Sequence, residues 1–281
     1  MWLILSLASG IFYTLQGLLT RHVLKGNRDA WAFSFYFSFV GALTSLPFVL
    51  MNPKFAKTPT LWLLIFVVGG LIVLQNYLNF KSTNYLEASI QGAITKFRLL
   101  WVLIIGVVLL GETLSSFKVI GTLLTITAGL VIYLKTVDLQ SKKGVYLAFS
   151  ATIVYAIVIG FYKLLFTEFN SATLTFFIFA IPALLNIFIM PNSIERIKEM
   201  AKSQGKVVFF ATFLGGLANL TMNQALSMDE ASRVLVIIES FLIILLLGEH
   251  IFLKEKANFK RKLIAVVLAT VGAILIRLSS S

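Results

Sequence analysis

Ten stretches of roughly twenty mainly apolar residues divide this chain, and that pattern limits it to a bundle of membrane-spanning helices. A helix rises 1.5 Å per residue, so about 20 residues cross a hydrocarbon core about 30 Å thick. The runs are Trp2 to Thr20, Trp31 to Met51, Thr60 to Phe80, Ala88 to Leu110 and Ser115 to Leu134. They continue with Gly144 to Leu165, Ala172 to Met190, Val207 to Ala225, Ala231 to Leu253 and Asn258 to Leu278. Composition agrees: 58% of the residues are hydrophobic and 13% charged, where soluble domains carry roughly 25% charged residues. Pro53, Pro59 and Pro191 mark run ends, while Pro47 and Pro182 lie inside runs and predict kinks. Met1 to Thr20 has no basic n-region and reads as a retained first helix rather than a cleaved signal. The longest connection, Pro191 to Lys206, has room for a short amphipathic helix.

Several chemistries are set aside by what the sequence lacks. With no cysteine there is no disulfide, thiolate nucleophile or cysteine metal site, and the two histidines, His22 and His250, share no helix-face spacing. Glu249 and His250 are adjacent and point to different faces, a poor metal geometry. Neither a phosphate-binding P-loop nor a His-Glu-x-x-His pair is present. The expectation is therefore no cofactor, no metal, no catalytic residues and no enzymatic activity. The formal charge of +12 sits mostly in the short connections, where it acts as a topology signal rather than a nucleic-acid surface. The side richer in lysine and arginine holds Arg21, Lys25, Arg28, Lys142, Lys143 and the cluster from Lys254 to Lys262. On charge alone that side is cytoplasmic and both termini lie opposite.

The chain also repeats itself. The offset that lays Glu87-Ala88-Ser89 on Glu230-Ala231-Ser232 also lays Glu112 on Glu255, Thr127 on Thr270 and Gly129 on Gly272. Without a gap it further lays Asn76 on Asn219, Gly17 on Gly160 and Asn27 on Asn170. Two five-helix repeats follow, residues 1–138 and 144–281. Because five is odd, the second copy enters the membrane from the opposite side, giving an inverted repeat. Secondary transporters use that architecture, with solute bound near the midplane where the repeats meet.

Ionisable groups inside apolar runs cost on the order of 2.5–3.5 kcal/mol each at a helix centre, so they face protein or a cavity. Lys96 and Arg98 in helix four and Glu239 and Glu249 in helix nine are such groups. The repeat offset lays Lys96 on Glu239, which places opposite charges at matched depth. Two readings stand: a buried ion pair locking the halves, or a site for solute or proton. Lys96 and Arg98 lie two positions apart, about 200° around a regular helix, and so are expected to point apart. Arg98 shares a face with Gln91 and Thr95, either as cavity lining or as an arginine bonded to carbonyls of neighbouring helices. Glu249, near the end of its run, is a candidate for proton coupling or simply reaches the interface. Asn76 and Asn79, with Gln75, share a face at the end of helix three, and Asn219, Asn223 and Gln224 occupy its counterpart. Their amides serve interhelical hydrogen bonds or solute contact. Gly17, Gly69, Gly70, Gly215 and Gly216 are expected to permit close helix packing.

The repeats, the Leu110-Gly111-Glu112 end of helix four with Gly121 and Gly129 beyond it, and the partial echo Phe252-Leu253-Lys254-Glu255 form a recognisable pattern. It resembles the drug/metabolite transporter superfamily, and within it the ten-helix, two-copy EamA family. Glu239-Ser240 is similar to the family's Glu-Pro pair, with serine in place of proline, and the second copy replaces the usual glycine before Glu255. The resemblance implies a helical carrier whose cavity is lined by helices one, three, four, six, eight and nine, with both termini inside. It implies export or exchange of a small metabolite, such as an amino acid, nucleotide-sugar or sugar phosphate, by alternating access across a bacterial or archaeal plasma membrane. The two cations and one or two anions among the cavity candidates favour a zwitterionic or anionic solute, an amino acid or organic anion. Fold alone does not name the solute. The alternative classes are a channel or an intramembrane enzyme. The expected partners are the solute and the lipid bilayer, with no nucleic acid and with the monomer as the working unit.

Overall fold

The protein is described by a computed structural model covering residues 1–24, 29–86, 91, 94–133, 142–240 and 259–278. The helices are α1 (Trp2–Leu24), α2 (Ala30–Met51), α3 (Pro59–Thr83), α4 (Arg98–Leu110) and α5 (Ser116–Tyr133). They continue with α6 (Lys142–Leu165), α7 (Ser171–Ile189), α8 (Ser193–Leu226), α9 (residues 231–240) and α10 (Phe259–Leu278). No strand occurs among the described residues. Among the described residues, six helices are long and apolar enough to cross a bilayer, and three shorter apolar helices accompany them. The protein is an integral membrane protein.

Local chemistry sets the helix ends. The Asp29 carboxylate accepts from the backbone N–H of Trp31 (3.0 Å) and Ala32 (3.1 Å), capping α2. Asn170 caps α7 through Thr173 N–H at 2.8 Å. Pro59 occupies the first turn of α3, where its missing N–H would have no partner anyway. α4 ends at Gly111, whose φ of 65° is left-handed, a conformation that glycine adopts without the Cβ penalty. α2 and α7 run on through Pro47 and Pro182. The segment before the eighth span is helical as expected. It joins the span across a break at Gln204 (φ −148°, ψ 21°), and together they make a 34-residue α8.

The tight pairings are α1 with α8, α3 with α6, α2 with α7 and α8, α3 with α7, α4 with α6, and α5 with α10. A Cβ at Gly69 would strike Ile181, one at Gly215 would strike Phe37, and one at Gly216 would meet Thr44, so these three glycines do allow close approach. Gly17 and Gly70, expected to do the same, face open space instead. Ile4, Leu63, Val108 and Phe188 are more than two-thirds exposed, which is the surface that lipid tails cover.

Candidate functional site

Helix four is interrupted where it matters. Residues 94–95 are helical, residues 96–97 form a turn, and α4 begins at Arg98. Leu99 N–H donates to Lys96 O (3.1 Å) and Leu100 N–H to Phe97 O (3.0 Å), so the winding tightens to i→i+3 bonds. Across the junction, on α9, stands Glu239. Its Oε2 contacts Lys96 Nζ and its Oε1 contacts the guanidinium of Arg98. The expectation that Lys96 and Arg98 point apart therefore fails. The tighter turn narrows the angle between them, and Glu239 sits between two long side chains that grip its two oxygens.

The three members differ in access. The side chains of Lys96 and Glu239 are 4% and 2% exposed, and that of Arg98 is 24% exposed. The Lys96 stem lies over Gly129 of α5, where a Cβ would collide with it. Arg98 lies 4.8 Å from the ring of Tyr155 and opens into a cavity of about 210 Å³ between the two halves of the chain. Polar lining comes from Gln16 of α1, Gln75, Asn76 and Asn79 of α3, Arg98 of α4 and Asn219 of α8. Phe37, Ile72, Phe80, Ile159, Phe179 and Met222 supply apolar wall. The Tyr13 and Tyr155 hydroxyls each lie 3.5 Å from the Met222 sulfur. Asn76 is 5% exposed, and among the described residues neither its buried Nδ2 nor the buried Arg98 Nε has a hydrogen-bond partner.

The expected residues divide accordingly. Arg98, Asn76, Asn79 and Asn219 come together around the cavity, with Thr95 beside it in a small side pocket shared with Gln75 and Asn79. Lys96 and Glu239 lie behind Arg98. Gln91 turns away to the end of α3, donating to Asn79 O (3.1 Å), Ser82 Oγ (2.8 Å) and Thr83 Oγ1 (3.0 Å). Asn223 is fully buried and donates to Thr175 Oγ1 at 2.9 Å, outside the cavity lining. Glu249 lies outside the described residues. Helices two and seven line the cavity through Phe37, Ile178 and Phe179, beyond the helices expected. Sequence reading also missed Tyr13, Tyr155, Tyr162 and Gln16. The seven-residue spacing of Tyr155 and Tyr162, two hydroxyls on one face of an apolar run, was the available signal.

A second charged cluster closes one end of the bundle, where α4, α6 and α8 terminate. Lys118 Nζ, fully buried, meets Glu230 (2.8 Å) and Thr113 O (2.6 Å), with Glu112 at 3.8 Å. Glu112 accepts from Ala231 N–H at 2.8 Å and so caps α9. Arg233 pairs with Asp229 (2.5 Å) and Glu230 (2.9 Å), and Lys163 donates to the carbonyls of Leu226 and Asp229. Burial pushes the Glu230 carboxyl upward, but Lys118, Arg233 and the Thr113 backbone N–H together outweigh that and hold it below the ordinary value of 4.5.

Known proteins share this plan. A solved crystal structure aligns over 99% of both chains with a TM-score of 0.67 at 15% identity, which speaks to fold. An uncharacterized transporter of Archaeoglobus fulgidus is 25% identical over 229 residues, 78% of this chain and 82% of that one. The family model of the EamA-like transporters matches residues 1–134 and 142–278. A charged cavity walled by helices of both halves, inside a chain matched almost end to end, has one family reading: the protein belongs to the EamA-like transporter family.

Proposed function

We propose that the protein is a secondary transporter, an exporter or exchanger, that moves a small polar metabolite by alternating access. The solute is an amino acid or an organic anion, the membrane a bacterial or archaeal plasma membrane, and the working unit the monomer. The observation that carries this reading is the central cavity, presented with the Arg98 guanidinium and amide side chains from both halves. Its volume lies below the roughly 300–1,000 Å³ of drug-sized sites, which suits a metabolite.

Two inverted repeats, residues 1–138 and 144–281, supply the moving parts. The pairings support them: exchanging α1 for α6, α2 for α7 and α3 for α8 turns α1·α8 into α6·α3 and α2·α8 into α7·α3. It leaves α2·α7 and α5·α10 unchanged. Lys96 and Glu239, 143 residues apart, meet across the same axis. In this reading Glu239 exchanges partners as solute arrives, and with Glu249 it is the candidate for proton coupling; its contact with Arg98 supports the first role.

Counterflow in liposomes tests the reading. Vesicles preloaded with unlabelled amino acids or organic acids should accelerate uptake of the same labelled solute, because a carrier returns faster when loaded. Arg98→Ala should lower that exchange at least about tenfold, as expected for loss of a charge-assisted contact, with the protein still folded and inserted. Uptake indifferent to the opposite compartment would indicate a channel. Loss of the variant from the membrane would make Arg98 a structural tie.

A further inference from the structure

The geometry points to a monocarboxylate without an adjacent ammonium group as the solute, an organic monoanion in preference to a zwitterionic amino acid. This rests on the transport reading above and narrows it.

Charge balance is the first support. Lys96, Arg98 and Glu239 together carry one net positive charge, and passing a proton from Lys96 to Glu239 leaves that sum unchanged. The surplus sits on Arg98, the member that opens into the cavity, so the triad favours the arrival of one negative charge there. A zwitterion brings none. The donor set is the second support. Arg98 is the exposed cation of the triad and shares the cavity wall with Asn76. Arg98 Nε and Asn76 Nδ2 are themselves buried and without hydrogen-bond partners among the described residues, so both are free to donate once an arriving anion draws the two side chains toward the cavity. The described residues lining the cavity include Arg98 but no aspartate or glutamate to receive an ammonium. Among the described residues, the carboxylate that meets Arg98 is Glu239, which is 2% exposed and already held by two cations. The rest of the wall includes Phe37, Phe80, Phe179, Ile72 and Met222, which suit an apolar body attached to the carboxylate.

In this arrangement Glu239 stands in for the solute when the site is empty. An arriving carboxylate takes the Arg98 guanidinium, and Lys96 keeps Glu239 paired while Arg98 turns away. Lys96 is thus a positioning residue. Its loss removes the surplus positive charge and with it the preference for an anion.

Leucine and its 2-oxo acid, 4-methyl-2-oxopentanoate, share a skeleton and differ at the amine, so they form the test pair. Direct calorimetric binding to the purified protein in nanodiscs should show the oxo acid binding about tenfold tighter than leucine or better. Arg98→Ala should abolish that binding, and Lys96→Met should collapse the ratio toward one while the protein remains folded by thermal shift. Leucine binding as tightly as the oxo acid, leucinamide binding at all, or no binding of either acid would overturn the inference. Counterflow on the same preparation separates the two claims. Oxo-acid binding without exchange keeps the monoanion site and removes the carrier. Exchange of leucine in preference to the oxo acid keeps the carrier and removes the monoanion site.

Discussion

Glu239 is the residue on which the centre depends, because it alone separates two cations that would otherwise face each other in a low-dielectric interior. Glu239→Ala leaves both Lys96 and Arg98 unpaired, whereas Lys96→Ala leaves the Arg98–Glu239 contact in place. Breaking a buried charge pair costs about 3–5 kcal/mol, so Glu239→Ala should fall in that range and Lys96→Ala well below it. Thermal unfolding in detergent ranks them, and a double-mutant cycle reads their coupling. Equal and strictly additive losses would mean that the side chains do not share one site. The Lys96–Glu239 meeting was legible in the sequence, because the repeat offset set them at one depth. The share taken by Arg98 was not, since the angular argument assumed a regular helix through residues 96 and 97, where the chain forms a turn. Gln91 fits its stripe by spacing, yet the end of α3 lies close enough to take its amide. No spacing rule ranks those two fates.

At the scale of elements, the connections carry as much design as the spans. Gly111 turns the chain out of α4 in a left-handed conformation, and the next residue, Glu112, reaches across to the start of α9. Glu112→Ala removes that cap and one carboxylate beside the buried Lys118. Loss of a capping side chain costs about 0.5–2 kcal/mol, and a thermal melt should show a drop in that range, partly restored by Glu112→Gln. A melt unchanged by Glu112→Ala would show that the cap carries no weight. Glu230 adds a pH dependence. Its carboxyl is depressed in the folded state, so its contribution is present above the ordinary value of 4.5 and is lost as pH falls through the folded value. Stability should decline on acidification in that window, and Glu230→Gln should flatten the decline. An identical slope in that variant would assign the acid sensitivity elsewhere. The apolar runs made these elements visible, and the Glu112 motif marked where α4 ends. What the motif is bonded to lies more than a hundred residues away, across the two halves, and local pattern does not reach that far.

For the whole molecule, the two charged clusters divide the work between them. Arg98 brings the triad to the central cavity, with Lys96 and Glu239 buried behind it, and the Glu112–Lys118–Glu230 cluster ties the α4–α5 connection to the α8–α9 connection at one end. If the halves rock against each other, that end opens only when the second cluster parts. The chain has no cysteine, so single cysteines can report access without background. Tyr162 lines the cavity on α6, which ends at the clustered side, and Gln75 lines it on α3, which starts there and runs toward the other end. In sealed vesicles a membrane-impermeant thiol reagent should reach a cysteine at 75 from one side and a cysteine at 162 from the other. Saturating solute should move the two rates in opposite directions. Glu112→Ala combined with Lys118→Met should raise labelling at 162 and lower it at 75 without any solute, because the tie that holds that end shut is gone. Rates that rise together would mean a cavity that merely loosens, and rates that never change would mean a bundle that does not alternate.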